Sequence, residues 1–232
     1  PIADLEDKDL KALATNLKGA LRVWKEPMVG GKYVIAADTA QGLGGEADNS
    51  AAVVLDFSRL EHIATLKTNL ITPTAFAGHL DALGRIYNEA YLAVERRQPG
   101  YATINTLFDD LGYPNLCHET DDPNYRGSID STVENCGVMP SIATNTQMVE
   151  RFRELCRTGN FTTPDQELIA EIATYVYDDS RHQLNPEARI KERAESGAHD
   201  DLLMAAMIAC FVHPWASFSS DEHEGATRTV DW

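Results

Sequence analysis

The 232-residue chain predicts an α/β fold: a central mixed sheet of about five strands, the first three antiparallel, flanked by helices. Three observations carry that expectation. Three short apolar runs follow one another early in the chain with only turns between them, as antiparallel neighbours require. Later apolar runs alternate with segments at helical spacing, as βα units do. The chain is 43% hydrophobic, enough to fill one core.

The elements follow in order. Residues 4–21 place Leu5, Leu10, Leu13, Leu17 and Leu21 near helical spacing. Residues 32–38 read as a buried strand, followed by the turn Gly42-Leu43-Gly44-Gly45. Residues 51–57 and 62–68 read as the second and third strands. Thr72-Pro73 is a helix start, cap then Pro in the first turn, for a helix to about residue 89. Residues 91–95 are a fourth strand, 103–111 a helix ended by Gly112, and 115–118 a fifth strand. Residues 119–138 are polar and poorly patterned, as in an inserted loop or hairpin. Helices are expected over 145–157, closed by Gly159, and over 165–176, started by Thr163-Pro164. Residues 177–197 read as a charged loop. Residues 200–212 are a helix apolar all round, hence buried. No repeat and no low-complexity segment is present.

The domain reading is a lead-in helix and linker over 1–31, one domain over 32–213 and a polar tail over 214–232. The first residue is Pro1 and the first segment is charged, which reads as a fragment cut from a longer protein. No signal peptide or membrane span is expected, because the longest apolar run, 202–212, is too short for a bilayer. The net charge of −16 argues against a generic nucleic-acid coat or a binder of anionic membranes. It does not exclude a nuclease, whose metal ions and local basic rim offset an acidic site. Cys117, Cys136, Cys156 and Cys210 form no Cys-x-x-Cys pair and suit a reduced compartment. A site from Cys117, His118 and Cys136 lacks zinc spacing.

Four acids stand at the edges of apolar segments. Asp38 ends Tyr33-Val34-Ile35-Ala36-Ala37, and Glu95 ends Tyr91-Leu92-Ala93-Val94. Asp200 and Asp201 open the last helix. Charges at core edges need partners. Carboxylates with no neighbouring base point to a divalent cation, and hard oxygen ligands suit Mg²⁺ or Mn²⁺. Asp200 and Asp201 also fit an N-cap and a first-turn acid. Asp48, on the Gly-rich loop, and His199 are accessory candidates. That loop joins strand to strand with no helix N-terminus to hold a phosphate, so it reads as a mobile hairpin near the metals rather than a nucleotide site. Candidates for a basic rim are Arg96, Arg97, Arg126, Arg181, Lys191 and Arg193, the first two because they follow Glu95.

Three antiparallel strands followed by βα units match the ribonuclease H-like fold, in which the first strand, the end of the fourth and a late helix meet at one edge. Those are the positions of Asp38, Glu95 and Asp200-Asp201. The segments Tyr91-Leu92-Ala93-Val94-Glu95-Arg96-Arg97, Leu111-Gly112-Tyr113-Pro114-Asn115-Leu116 and Gly197-Ala198-His199-Asp200-Asp201-Leu202-Leu203-Met204-Ala205 resemble the C-terminal nuclease domain of phage terminase large subunits. Residues 33–38 and the loop into Asp48-Asn49-Ser50-Ala51 fit the same family. The chain departs from it at Thr144-Asn145-Thr146-Gln147, where many relatives place a Lys, and over 178–196.

The resemblance implies a DNA endonuclease that cuts concatemeric double-stranded viral DNA around packaging, with two divalent metals. It implies Asp38, Glu95 and Asp201 as catalytic acids, and Asp38, Glu95, Asp200 and Asp201 as metal ligands. Asp38, held by a central strand, would bridge the two ions. The implied partners are an ATPase motor domain in the same full-length chain, the portal and the small terminase subunit, with no membrane. The implied location is the host cytoplasm, outside the mature virion. No Gly-x-x-x-x-Gly-Lys-Ser/Thr loop occurs in this chain. The alternatives are another ribonuclease H-like nuclease of junction-resolvase type, or a docking module of the packaging motor.

Overall fold

A computed structural model describes residues 1–45, 48–125, 132–178, 191–194 and 199–218. Its centre is a five-stranded sheet built from β1 (Leu21–Val23), β2 (Tyr33–Asp38), β3 (Ser50–Asp56), β4 (Glu61–Thr68) and β5 (Tyr91–Val94). The order is β1-β4-β3-β2-β5. β2, β3 and β4 pair antiparallel, and β5 joins β2 in parallel. The sheet expected from the sequence is therefore present, with one exchange of strands. The fifth strand is β1, from the stretch expected to be a lead-in. Residues 115–118 make only isolated bridges, Leu116 to Leu92 and His118 to Cys136. The outer edge of β5 is shared between the Leu116 bridge and Val138, whose N–H donates to the Val94 carbonyl. Two short segments split the edge, so neither grows into a strand.

The first helix, α1 (Lys8–Asn16), stops five residues short of its expected end. Lys18 at φ 49° and Gly19 at φ 91° reverse the chain. That leaves Leu21, Arg22 and Val23 to alternate buried, half-buried, buried against β4. α2 (Pro73–Ile86) starts as read: the Thr72 hydroxyl accepts from the Ala75 N–H and Pro73 fills the first turn. A short α3 (Gly100–Asn105) passes into a π turn over Thr106–Asp110. α4 (Ile142–Thr158) ends at Gly159 in the left-handed region. α5 (Gln166–Thr174) is capped by Asp165, not by the Thr163-Pro164 pair. The 177–197 loop expectation is corrected at its ends, where β6 (Tyr175–Asp178) pairs antiparallel with β7 (Lys191–Ala194). The centre of that segment and the tail beyond residue 218 lie outside the described residues. α6 (Asp201–Val212) is the buried apolar helix. No helix of the described residues is long and apolar enough to cross a membrane.

Two cores sandwich the sheet. Ile35, Ala37, Leu92 and Val94 face α1 and α2, whereas Val34, Ala36, Tyr91 and Ala93 face α4 and α6. Period-2 alternation extends this rule to the strand ends. Asp38 and Glu95 thus follow Ala36 and Ala93 onto the α6 side.

A polar network crosses the β1–β4 edge. Asp165 is buried and accepts from the Thr65 hydroxyl at 2.7 Å, from Arg22 Nη2 at 3.0 Å and from the Glu167 N–H at 3.0 Å. His62 sits beside it, with Nδ1 2.8 Å from the Thr163 hydroxyl and Nε2 3.0 Å from the Ala64 carbonyl. Burial holds the His62 imidazole down to about 4, although Asp165 pulls the other way. Between the ordinary value of 6.5 and about 4, the unfolded chain binds the proton and the folded one does not. Stability should therefore fall as pH drops through that window, by about 3 kcal/mol if the whole shift is expressed. Urea unfolding from pH 7 to 4.5 checks this: His62→Gln should flatten the slope, and an unchanged slope would remove His62 as its source.

Candidate metal centre

Four structural elements bring the acids together. β2 ends at Asp38, in register opposite Ala51 of β3. Glu95 continues β5 one residue further, its N–H donating to the Ala37 carbonyl at 3.0 Å. Asp200 stands at the N-cap position of α6, and Asp201 is its first residue, buried at 6% exposure. The Gly-rich loop brings Asp48 and Asn49. Gly42 explains part of its path: with φ +73° and the Ile71 carbonyl oxygen 1.9 Å from where a Cβ would stand, only glycine fits.

The acids repel one another. Burial, and after it the charges of Glu95, Asp201 and Asp200, hold the Asp38 carboxyl well above the usual carboxylate range. Asp38 and Glu95 also share a hydrogen bond. Burial raises the Glu95 carboxyl too, while the Arg97 guanidinium and the bond from Asp38 counter the rise. Two carboxylates about 4 Å apart repel by roughly 4 kcal/mol at an effective dielectric of 20. The centre thus favours a bound proton or a bound cation.

A second group adjoins the first. His199 Nδ1 lies 3.8 Å from Asp48 Oδ1 and 3.8 Å from Asp201 Oδ2. Asp48, His199 and Asp201 offer ligand atoms all within 4.8 Å of one another. Asp201 belongs to both groups. Its Oδ2 accepts from the Asn49 N–H at 3.2 Å and from Asn49 Nδ2 at 3.0 Å. The donor set is carboxylate oxygen with one imidazole and no thiolate, which suits a divalent cation.

The structure separates readings that the sequence left open. Asp200 makes no capping hydrogen bond. Arg96 is not part of a basic rim. It is 5% exposed, ion-paired with Glu119 and hydrogen-bonded to the Glu134 carbonyl. It ties the 119–138 insertion to the end of β5, and burial with two acceptors withdraws it from any ligand. Arg97 is exposed and close enough to influence Glu95. Arg126 and Arg181 lie outside the described residues, and for Lys191 and Arg193 only the backbone is described. Cys117 and Cys136 are buried free thiols pushed up by burial, Cys136 to about 12, which does not suit metal-binding thiolates.

Sequence reasoning assigned no role to Asn49, Lys67 or Glu171. Asn49 carries no pattern that would reveal a partner 152 residues away. Glu171 leaves a signal: it interrupts the apolar stripe of Leu168 and Ile172 on α5, yet it is buried.

Comparison with known proteins places the fold. Residues 35–211 match the terminase RNaseH-like domain family. No protein of curated function matches the chain. The solved large terminase nuclease of thermophilic phage G20c with bound cobalt is 22% identical, with a TM-score of 0.64 over 83% of this chain and 87% of that one. The same nuclease with bound magnesium is 20% identical, with a TM-score of 0.64 over 89% of this chain and 98% of that one. The large terminase nuclease domain of Thermus phage P74-26 is 21% identical, with a TM-score of 0.60 over 82% and 84%. At these identities the likeness concerns the fold.

Proposed function

Because the chain belongs to the terminase RNaseH-like domain family, we propose that it is the endonuclease domain of a viral DNA-packaging terminase large subunit, hydrolysing phosphodiesters of double-stranded DNA with divalent metal. The observation that carries this reading is the meeting of Asp38, Glu95, Asp200 and Asp201 from β2, β5 and α6 in one mutually repelling cluster. The similar G20c nuclease has been solved with magnesium and with cobalt.

Asp38, Glu95 and Asp200 would hold one ion, and Asp201, Asp48 and His199 a second. Bound Mg²⁺ or Mn²⁺ supplies activation of the attacking water and neutralisation of the leaving oxygen. The chain's own residues do the rest. β2 fixes Asp38 rigidly from a central strand. Asn49 occupies Oδ2 of Asp201 and so orients that carboxylate. His199 Nδ1, 3.8 Å from both Asp48 and Asp201, would complete the second ligand group. Arg97 offers its charge to a backbone phosphate beside Glu95. With a net charge of −16, the domain by itself should bind duplex weakly, without sequence preference and with a shallow salt dependence. Affinity would then come from partners: an ATPase motor domain in the same full-length protein, the portal and the small subunit. The reaction would take place in the host cytoplasm.

Nicking of supercoiled plasmid tests the reading. Cleavage is expected with Mg²⁺ and at least as fast with Mn²⁺, whose coordination is less strict. Chelator should abolish it. Either ion should also raise the unfolding temperature, because it binds only the folded cluster. Failure of both ions to bind or to support cleavage with DNA present would leave the docking-module alternative.

A further inference from the structure

The last helix begins in an unusual way. The first N–H groups of any helix lack intrahelical acceptors, and an aspartate at the N-cap normally supplies one to the second or third residue. Asp200 stands at that position and makes no such bond. The N–H of Leu203, the third residue of α6, instead donates to Glu171 Oε2 at 2.9 Å, from the neighbouring helix α5. The other oxygen, Oε1, accepts from Lys67 Nζ of β4 at 2.7 Å. Glu171 is 6% exposed, and the Lys67 side chain 10%. Lys67 is further held by Glu167 at 3.0 Å.

Burying a carboxylate on an apolar stripe is costly unless it is paired and hydrogen-bonded. A cap from Asp200 would have satisfied the same donor locally. The pair Lys67–Glu171 does it from a distance and anchors the first turn of α6 to the sheet. That turn carries Asp200 and Asp201. Resting on the nuclease reading above, we propose that Glu171, braced by Lys67, is a positioning residue: it takes the capping duty from Asp200 and fixes the first turn of α6, so that Asp200 and Asp201 both present their carboxylates to the metal centre. Glu171 acts through the Leu203 N–H and touches neither ion nor substrate.

Glu171→Met tests this, since it suits the apolar stripe, removes the acceptor and leaves Lys67 paired with Glu167. Without metal the unfolding midpoint should drop by about a few degrees, since the Leu203 N–H loses its acceptor while Lys67 keeps Glu167, so binding is read well below it. Mn²⁺ affinity by calorimetry should fall about ten- to a hundredfold, the range seen when groups that orient metal ligands are removed. The nicking kcat should fall while the KM for plasmid is unchanged, and the Leu203 amide should exchange faster with solvent. Glu171→Gln keeps an acceptor and should return Mn²⁺ affinity to within about threefold of the wild type. A methionine variant that binds Mn²⁺ like the wild type, or a glutamine variant as impaired as methionine, overturns the proposal and leaves the nuclease reading standing. A wild-type domain that binds no Mn²⁺ overturns both.

Discussion

Asp38→Asn should lower metal-dependent cleavage by on the order of a hundredfold or more, since removing groups that merely orient metal ligands already costs ten- to a hundredfold. The same substitution should make the metal-free domain more stable, not less. The Asp38 carboxyl is raised by burial and by three acidic neighbours. Its folded-state value lies above the unfolded one, so the folded state binds the extra proton in the window between them. Stability contributed by that proton is present at low pH and is lost as pH rises from about 3.8 through the raised value. Asparagine removes the charge and with it this loss. Nicking assays and melting curves on the same preparations, at pH 5 and pH 8 with chelator, read both effects. A folded Asp38→Asn protein that cuts at the wild-type rate would take Asp38 out of the mechanism. A variant less stable than wild type at pH 8 would show that the acids are not in conflict.

The second large effect is on stability alone. Asp165→Ala should cost roughly 3 kcal/mol, the lower end of the range for breaking a buried ion pair by removing one partner. Three donors lose their acceptor at once: Arg22 Nη2, the Thr65 hydroxyl and the Glu167 N–H at the start of α5. Arg22 keeps Glu167 at 2.6 Å, which limits the damage. Asp165→Asn preserves an acceptor for the cap but puts an NH₂ where Oδ2 met Thr65 and Arg22, and should cost less than alanine. Urea denaturation measures both, and a loss under about 1 kcal/mol for alanine would mean that the network relaxes without cost. Because the network lies on the β1–β4 edge, nicking per folded molecule should be unaffected at temperatures well below the unfolding transition.

The two sites differ in how they show in the sequence. Asp38 and Glu95 each end a short apolar run, and each run has a strand's length, so period-2 alternation already implies a face for the acid. Asp200 and Asp201 precede a helix apolar all round, which can only be buried. Asp165 was legible as part of a helix start, yet its partners Arg22 and Thr65 lie 143 and 100 residues away. No periodicity reports such a pairing. Arg96 shows the reverse error. Adjacent in sequence to Glu95 and Arg97, it suggested a shared basic edge, but alternation turned it to the other side, where Glu119 of the insertion meets it.

By itself the sequence determined the identity and length of most elements, the antiparallel start of the sheet and the four acids at its edge. These follow from local signals: hydrophobic period, caps, glycines and run length. Only the tertiary structure decided which short segments complete the sheet. β1 is three residues long and the 115–118 run barely longer, so their fate depended on which edge had an open partner. Tertiary contacts also decided which carboxylates are in conflict and which are paired. Asp38 and Glu95 face each other without a lysine between them, whereas Glu171, more deeply buried, has Lys67 and the Leu203 N–H. A carboxylate's charge state depends on what lies within a few ångströms of it in space, and in this protein those neighbours come from parts of the chain up to more than a hundred residues away.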